Sequence, residues 1–233
     1  MLLLAMVMAA TPTATPIAAK PTTPQPPATA SQANLDLQTV VDRMQKRYDQ
    51  AKDFRARFSQ NYSRAAVGRS TLSTGTVALK KPGRMRWDYD KPEPRMFVSN
   101  GQVLWLYEPT EKQAFKQDLK NSQLPAALAF LMGKGKIVDE FDVGFAKDAK
   151  QGRPGDYRLA LTPKQPQSSY KSILFVVDPK EFFVRETVLV DPQGNINHFI
   201  FDDLQVNDKV PDTLFKWTPP AGVRVVDTGQ MGK

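Results

Sequence analysis

The chain has one histidine, His198, set between Asn197 and Phe199 in a segment that alternates like a strand. General acid–base chemistry, a Ser-His-Asp relay or an imidazole metal site would all rest on it alone, and a strand histidine is far more often a structural polar group. There is no cysteine, which removes thiolate nucleophiles, thiolate metal ligands, disulfides and a thioether lipid anchor. Asp202, Asp203, Asp208 and Asp212 crowd near one loop, but they lack the spacing and turn glycine of a calcium loop and read as solvated. No Gly-rich loop follows a strand and opens a helix, so nucleotide phosphates have no cradle. Gly68, Gly75 and Gly83 are expected in turns or bends. The sequence thus offers no catalytic residue, no metal site and no cofactor site, and function has to come from shape, apolar surface and charge.

The formal charge is +8, nearly all of it in the part expected to fold, since Lys20 is the one charged residue before Asp36. The bases are scattered through strand-like segments without a Lys/Arg block or a nucleic-acid motif, so no nucleic acid is expected as a partner. Anionic lipid head groups or an acidic partner suit such a surface better.

The elements that must carry the function begin after residue 34. Residues 1–19 read as a signal peptide: the run Met1 to Ala10 is apolar, ends in small residues, and is far below the ~20 residues that span a bilayer. Residues 20–34 continue a Pro/Thr/Ala-rich stretch that cannot bury a core and reads as a disordered linker. No later segment has transmembrane length, so no transmembrane anchor is expected. A domain is expected over 35–227, with a flexible tail at 228–233. Leu37, Val40, Val41, Met44 and Tyr48 recur at helical spacing behind Asn34 or Asp36, which predicts one amphipathic helix over 35–51. Strand alternation follows at Phe54-Ala56-Phe58, Val77-Leu79 and Met85-Trp87-Tyr89. Asn100-Gly101 between two apolar runs predicts a tight hairpin with both turn residues at positive φ. Further strands are expected near 156–162, 170–178, 182–190 and 195–206, with a turn at Asp191 to Asn195 and a short strand near 213–217. Phe141 to Phe145 reads either as a strand or as the edge of a further helix. Leu124 to Met132 predicts a short helix that is apolar nearly all round and ends at Gly133 and Gly135. Such a helix needs apolar contact on every side, either plugging a barrel or covering a cavity.

Four segments together carry a resemblance: Phe54-Arg-Ala-Arg-Phe-Ser-Gln60, Gly75-Thr-Val-Ala-Leu-Lys-Lys-Pro-Gly-Arg-Met-Arg-Trp-Asp-Tyr89, Val98-Ser-Asn-Gly-Gln-Val-Leu-Trp-Leu-Tyr-Glu-Pro109 and Phe215-Lys-Trp-Thr-Pro-Pro-Ala-Gly-Val223. In order and separation they resemble the LolA family of periplasmic outer-membrane lipoprotein carriers, from about residue 35 to 227. The resemblance implies a mainly β fold with some α: an incomplete, unclosed antiparallel β-barrel of about 11 strands with a lid of short α-helices over an apolar cavity. Met85, Trp87 and Phe97 would face the cavity, and Leu124, Leu128, Phe130, Leu131 and Met132 would belong to the lid. Some family members place, before the residue matching Pro82, an arginine that latches the lid by hydrogen-bonding its carbonyls. Here Lys81 stands there, a latch candidate with a point charge in place of the planar fork.

The implied function is that of a periplasmic chaperone rather than an enzyme, a monomer needing no cofactor. It would bind the acyl chains of lipoproteins released by an inner-membrane ABC transporter and pass them to an outer-membrane lipoprotein receptor. Burying one chain of ~15 methylenes is worth ~12 kcal/mol, and several buried fully would pass the ~18–21 kcal/mol ceiling on affinity, so loose sequestration is expected. A LolA-like lipid or lipoprotein sensor, or a structural β-module without a ligand, are the alternatives.

Overall fold

The computed structural model describes residues 35–119, 130 and 135–228. The expected signal peptide and linker, and Leu124, Leu128, Leu131 and Met132 of the expected lid, lie outside the described residues. Helix α1 (Leu37–Gln50) starts at Asp36, whose carboxylate accepts Thr39 N at 2.9 Å and Thr39 Oγ1 at 2.7 Å, satisfying donors that the first turn leaves free. Val40, Val41, Met44 and Tyr48 form its buried face.

Twelve strands follow: β1 (Asp53–Arg64), β2 (Arg69–Lys80), β3 (Arg84–Lys91), β4 (Arg95–Asn100), β5 (Val103–Glu108), β6 (Gln113–Asp118), β7 (Phe141–Phe145), β8 (Tyr157–Pro163), β9 (Ser172–Val177), β10 (Val184–Val190), β11 (Ile196–Val206) and β12 (Arg224–Asp227). A one-turn helix, α2 (Ile137–Glu140), precedes β7. They form one sheet in the order β12-β6-β5-β4-β3-β2-β1-β11-β10-β9-β8-β7, whose ends do not meet. Neighbours pair antiparallel except β12 on β6, which is parallel. The result is an unclosed barrel with one strand more than expected. Phe141–Phe145, open in the sequence reading, is a strand.

Period-two alternation puts one side-chain set on the inner face. Phe54, Ala56 and Phe58 are buried while Arg55 and Arg57 are exposed, and Met85, Trp87 and Tyr89 alternate with half-buried Arg84, Arg86 and Asp88. The inner rows of β1–β5 and β7–β10 join α1 in one core.

The Asn100-Gly101 turn sits one residue later than expected. Ser99 pairs with Leu104, so Gly101 and Gln102 cap the hairpin, and of these Gly101 has positive φ (94°). Asn100 instead uses its side chain, accepting Gln102 N at 2.9 Å and Val103 N at 3.0 Å. The turn at Asp191 forms as expected, its carboxylate accepting Gln193 N and Asn195 N.

The strand expected near 213–217 is instead a 3₁₀ turn, Asp212–Phe215. Its amides bond locally (Leu214 N to Pro211 O, Lys216 N to Thr213 O) because the segment lies across the outer face of the sheet instead of joining its edge. There Phe215 and Val210 pack on Ala78, and Trp217 packs on Trp105 and Tyr107 with ring centroids 5.4 and 5.2 Å apart. Asp212 bridges Lys80 and Arg84, both at 2.5 Å.

Gly75, expected at a bend, lies inside β2 beside a register shift against β3. A Cβ there would stand 2.0 Å from the Asp88 carbonyl oxygen and 2.9 Å from the Phe58 ring, which crosses over it. Gly75→Val should therefore cost about 3 kcal/mol, read as a lowered urea midpoint at unchanged slope. The Asp212 pair gives a pH signature. Hydrogen bonds from Arg84 and Lys80 hold its carboxyl down at about 2. A depressed carboxylate stabilises above its unfolded pKa and loses this as pH falls through the folded value. The stability difference between wild type and Asp212→Asn should thus be constant above about pH 5 and vanish toward pH 2.

Candidate functional site

The inner face is dominated by aromatic rings from strands distant in sequence. Phe58 of β1 packs against Trp87 (5.1 Å between centroids), Tyr89 (4.8 Å) and Phe199 (5.9 Å). Trp87 also meets Phe199 at 5.4 Å and Phe201 at 6.2 Å. Nearer α1, Tyr48 touches Phe54, Phe130 and Phe183 at 5.5, 4.8 and 5.4 Å. Burial pushes the Tyr48 phenol up; its oxygen accepts Val184 N at 3.2 Å.

Between the two groups an apolar cleft of about 50 Å³ opens outward. Tyr48, Phe54, Val77, Trp87, Phe201 and Leu204 are among its walls. It exists because β1 and β11 fall out of register: Arg57 pairs with Asp202 but Arg55 with Gln205, leaving Asp203 and Leu204 opposite Ala56. Asp203 takes positive φ (54°) to make this bulge. Leu204, 38% exposed, then stands at the common wall of the cleft and two wider hollows of about 510 and 580 Å³, each lined by both apolar and charged residues. The first hollow carries Arg47, Arg153, Asp178, Glu181, Arg185 and Asp202.

Met85, Trp87 and Phe97 all lie on the inner face and are buried, and Phe97 stands opposite Trp87 across β3–β4. Trp87 reaches the cleft, whereas Met85 and Phe97 pack in the core beside it. Among the described residues the buried Trp87 indole N–H has no hydrogen-bond partner. Phe130, the one expected lid residue that is described, is buried between Tyr48 and Phe175. Sequence reading missed Tyr48, Phe201 and Leu204 as wall residues. Tyr48 and Phe201 sit at inward positions of elements that the pattern found, but the bulge exposing Leu204 has no signature in the sequence.

Lys81 reaches the last turn of α1, where its Nζ donates to the carbonyls of Tyr48 at 2.5 Å and Asp49 at 3.2 Å. A cation there satisfies orphan carbonyls and opposes the negative end of the helix dipole. Burial pulls the ammonium pKa down, and the Asp49 carboxylate works against that. Arg47 holds the same turn from the other side, bonding the Glu181 carbonyl at 2.9 Å and its carboxylate, with its guanidinium 4.9 Å over the Phe183 ring. Helix α1 is thereby fastened over the cleft by two side chains at its C-terminal end.

His198 is far from this. It faces the outer side of β11 and bonds Glu186 of β10 at 2.8 Å, a cross-strand polar pair. Among the described residues no group of three or more His, Cys, Asp or Glu side chains could hold a metal ion, and no helix is long and apolar enough to cross a membrane.

A sequence-family profile described as "Outer membrane lipoprotein carrier protein LolA" matches residues 49–218, from the end of α1 to the segment on the outer face. The chain belongs to the LolA family. Relatives named outer-membrane lipoprotein carrier protein include one from Pseudomonas entomophila, 30% identical over 200 residues that cover 84% of this chain and 92% of the relative. Another, from Dechloromonas aromatica, is 27% identical over 187 residues, 80% and 87% of the two chains. Among solved structures, an uncharacterized conserved protein from Thermus thermophilus covers 82% of this chain and 98% of its own at a TM-score of 0.52 and 12% identity, a likeness of fold. For this LolA-family chain the motif pair around Lys81 and Trp105 has a structural reading: the first places Lys81 under α1, and the second seats Trp105 and Tyr107 beneath Trp217.

Lys81→Ala should free the C-terminal turn of α1. Amide hydrogen exchange in residues 45–51 is expected to speed about 5- to 10-fold, as for a lost cation at a helix C-terminus, with a smaller change in the β1–β2 ladder. Equal acceleration in helix and sheet would show that Lys81 supports the whole fold instead.

Proposed function

We propose that this protein is a non-catalytic periplasmic carrier that binds the acyl chains of lipoproteins on the inner face of its open barrel. It receives them from an inner-membrane ABC transporter and delivers them to an outer-membrane receptor. The supporting observation is the apolar cleft at the β1–β11 bulge, continuous with an aromatic interior and covered by a helix fastened at one end. A carrier needs an apolar interior that can open, and an unclosed sheet supplies one without breaking any strand pairing.

The cleft is too small for a chain as it stands. About 50 Å³ holds a few waters, while drug-sized ligands occupy ~300–1,000 Å³. Loading therefore requires α1 or the rings of Tyr48 and Phe201 to move outward. Burial of ~15 methylenes, worth ~12 kcal/mol, has to offset both the few hydrogen bonds that fasten α1 and whatever part of its buried face (Val40, Val41, Met44, Tyr48) is exposed, at ~1.5–3 kcal/mol per side chain, which favours a partial opening. Release needs a receptor whose apolar site is slightly better, with no nucleotide at that step. The relatives' name, lipoprotein carrier, supports the same reading.

The test mixes the protein with membranes holding a labelled lipoprotein and its ABC transporter, adds ATP, and measures label in a soluble one-to-one complex. The expected result is release by the wild type and at least ~10-fold less by Phe201→Asp, because a carboxylate in the cleft would have to be desolvated beside an acyl chain. Absence of release, with the transporter active toward a known carrier, would overturn the proposal in favour of a lipid-binding sensor.

A further inference from the structure

We infer that the tip of the β1–β2 hairpin is a foot that touches the surface of an anionic lipid bilayer. This goes beyond the carriage of lipoproteins, which concerns the inner face, and rests on a different part of the molecule.

The hairpin projects. Strand β2 pairs with β3 from Thr74 onward, so Arg69 to Ser73 extend past the end of β3 with β1 as their partner. On the other side β1 is met by the start of β11, with Ser63 opposite Ile196 and Asn61 opposite His198. Leu72 lies opposite Asn61 across β2, so Leu72 and Ile196 flank β1 on the same outer face. A 3₁₀ turn, Ala65–Val67, closes the tip, and Gly68 ends it in the left-handed region at φ 60°.

Three aliphatic side chains are turned to solvent here: Val67 is 56%, Leu72 63% and Ile196 40% exposed. No other part of the described chain gathers as many exposed aliphatics, and nothing in the core requires them to be apolar. Arg64 and Arg69, paired across the hairpin, border them, and among the described residues neither forms an ion pair. Asp191, in the turn whose Asn195 accepts Ala65 N at the tip, is 5% exposed and already accepts Gln193 N, Asn195 N and Asn195 Nδ2. Residues 61–72 therefore present aliphatics and two cations and contain no Asp or Glu of their own. Aliphatics that enter the acyl boundary and cations that meet phosphates are the two components of interfacial binding. A convex tip of this size cannot supply the ~800 Å² per partner of a stable protein interface, but a fluid bilayer needs no matched surface.

The test is flotation of the full chain with vesicles of phosphatidylcholine, with and without phosphatidylglycerol. Because the sequence lacks cysteine, an environment-sensitive dye can be placed singly at Ala66→Cys or, as a control at the opposite end of the sheet, at Gln102→Cys. The expected result is binding that requires phosphatidylglycerol, a blue shift of the dye at position 66 but not at 102, and a salt-sensitive partition. Arg64→Gln with Arg69→Gln should lower it about 30-fold and Leu72→Ser about 10-fold. Both sets of variants share the same N-terminal segment, whose own membrane affinity therefore cancels, and exposed substitutions should leave the unfolding midpoint in place. Equal binding to both vesicle types, a shift at 102 in place of 66, or binding unchanged in the variants would overturn the inference. No lipoprotein enters the assay, so its failure leaves the carrier reading untouched, and the reverse holds too.

Discussion

The pairing of β1 with β11 holds the molecule together. Strands β1 to β6 form one antiparallel meander and β7 to β11 another, and each could bury little by itself because its inner rows face nothing of their own. The β1–β11 ladder joins the meanders across more than 130 residues of chain and puts the rows of both around one space. Phe58 can then meet Phe199, and Trp87 can meet Phe201, contacts that exist in neither half. Such a long-range ladder carries a large loop-closure cost that is recovered only when the aromatic interior forms, which makes seam and core one cooperative event.

The same seam contains the structural irregularity most relevant to function. A perfect ladder would close the wall. The extra residue at Asp203-Leu204 interrupts it and places the apolar cleft at the junction of the two meanders. The structure thus reconciles two demands that ordinarily conflict. A core of close-packed rings favours stability, whereas an apolar site that admits a ligand must give up part of that packing. Here side chains of β3 and β4 are fully enclosed, as Met85 and Phe97 show at 1% exposure, while the cleft opens at the bulge beneath α1.

The outer face has a separate logic. Trp105 and Tyr107, both on the outer face of β5, would leave large rings in water if nothing crossed the sheet there. The segment after β11 does so, with Trp217 over Trp105 and Tyr107 and Asp212 tied to Lys80 and Arg84, before β12 adds to the edge at β6. The four segments that carry the family resemblance are thus parts of two contacts: β1 on β2 across Gly75, and the β4–β5 hairpin under the C-terminal segment.

The sequence alone determined which side chains share a face. Alternation in β1, β2 and β3 and the 3.6-residue spacing of α1 are local properties, set by backbone geometry within a few residues, and they read correctly at Phe54, Val77, Met85, Trp87 and Tyr48. It also showed that the chain lacks thiols and has a single imidazole, since that is a matter of composition. The tertiary structure decided which strands are neighbours. A period of two says that a row is buried but not against what, so the β1–β11 seam, the parallel β12 and the bulge at Leu204 were invisible beforehand. For the same reason the segment near 213–217 read as a strand: its apolar residues do face the sheet, but from outside it, with their backbone bonds made locally. Lys81 shows the division within one residue. Its place before Pro82 is in the sequence, while its ammonium under the last turn of α1 depends on the hairpin and the helix being folded side by side.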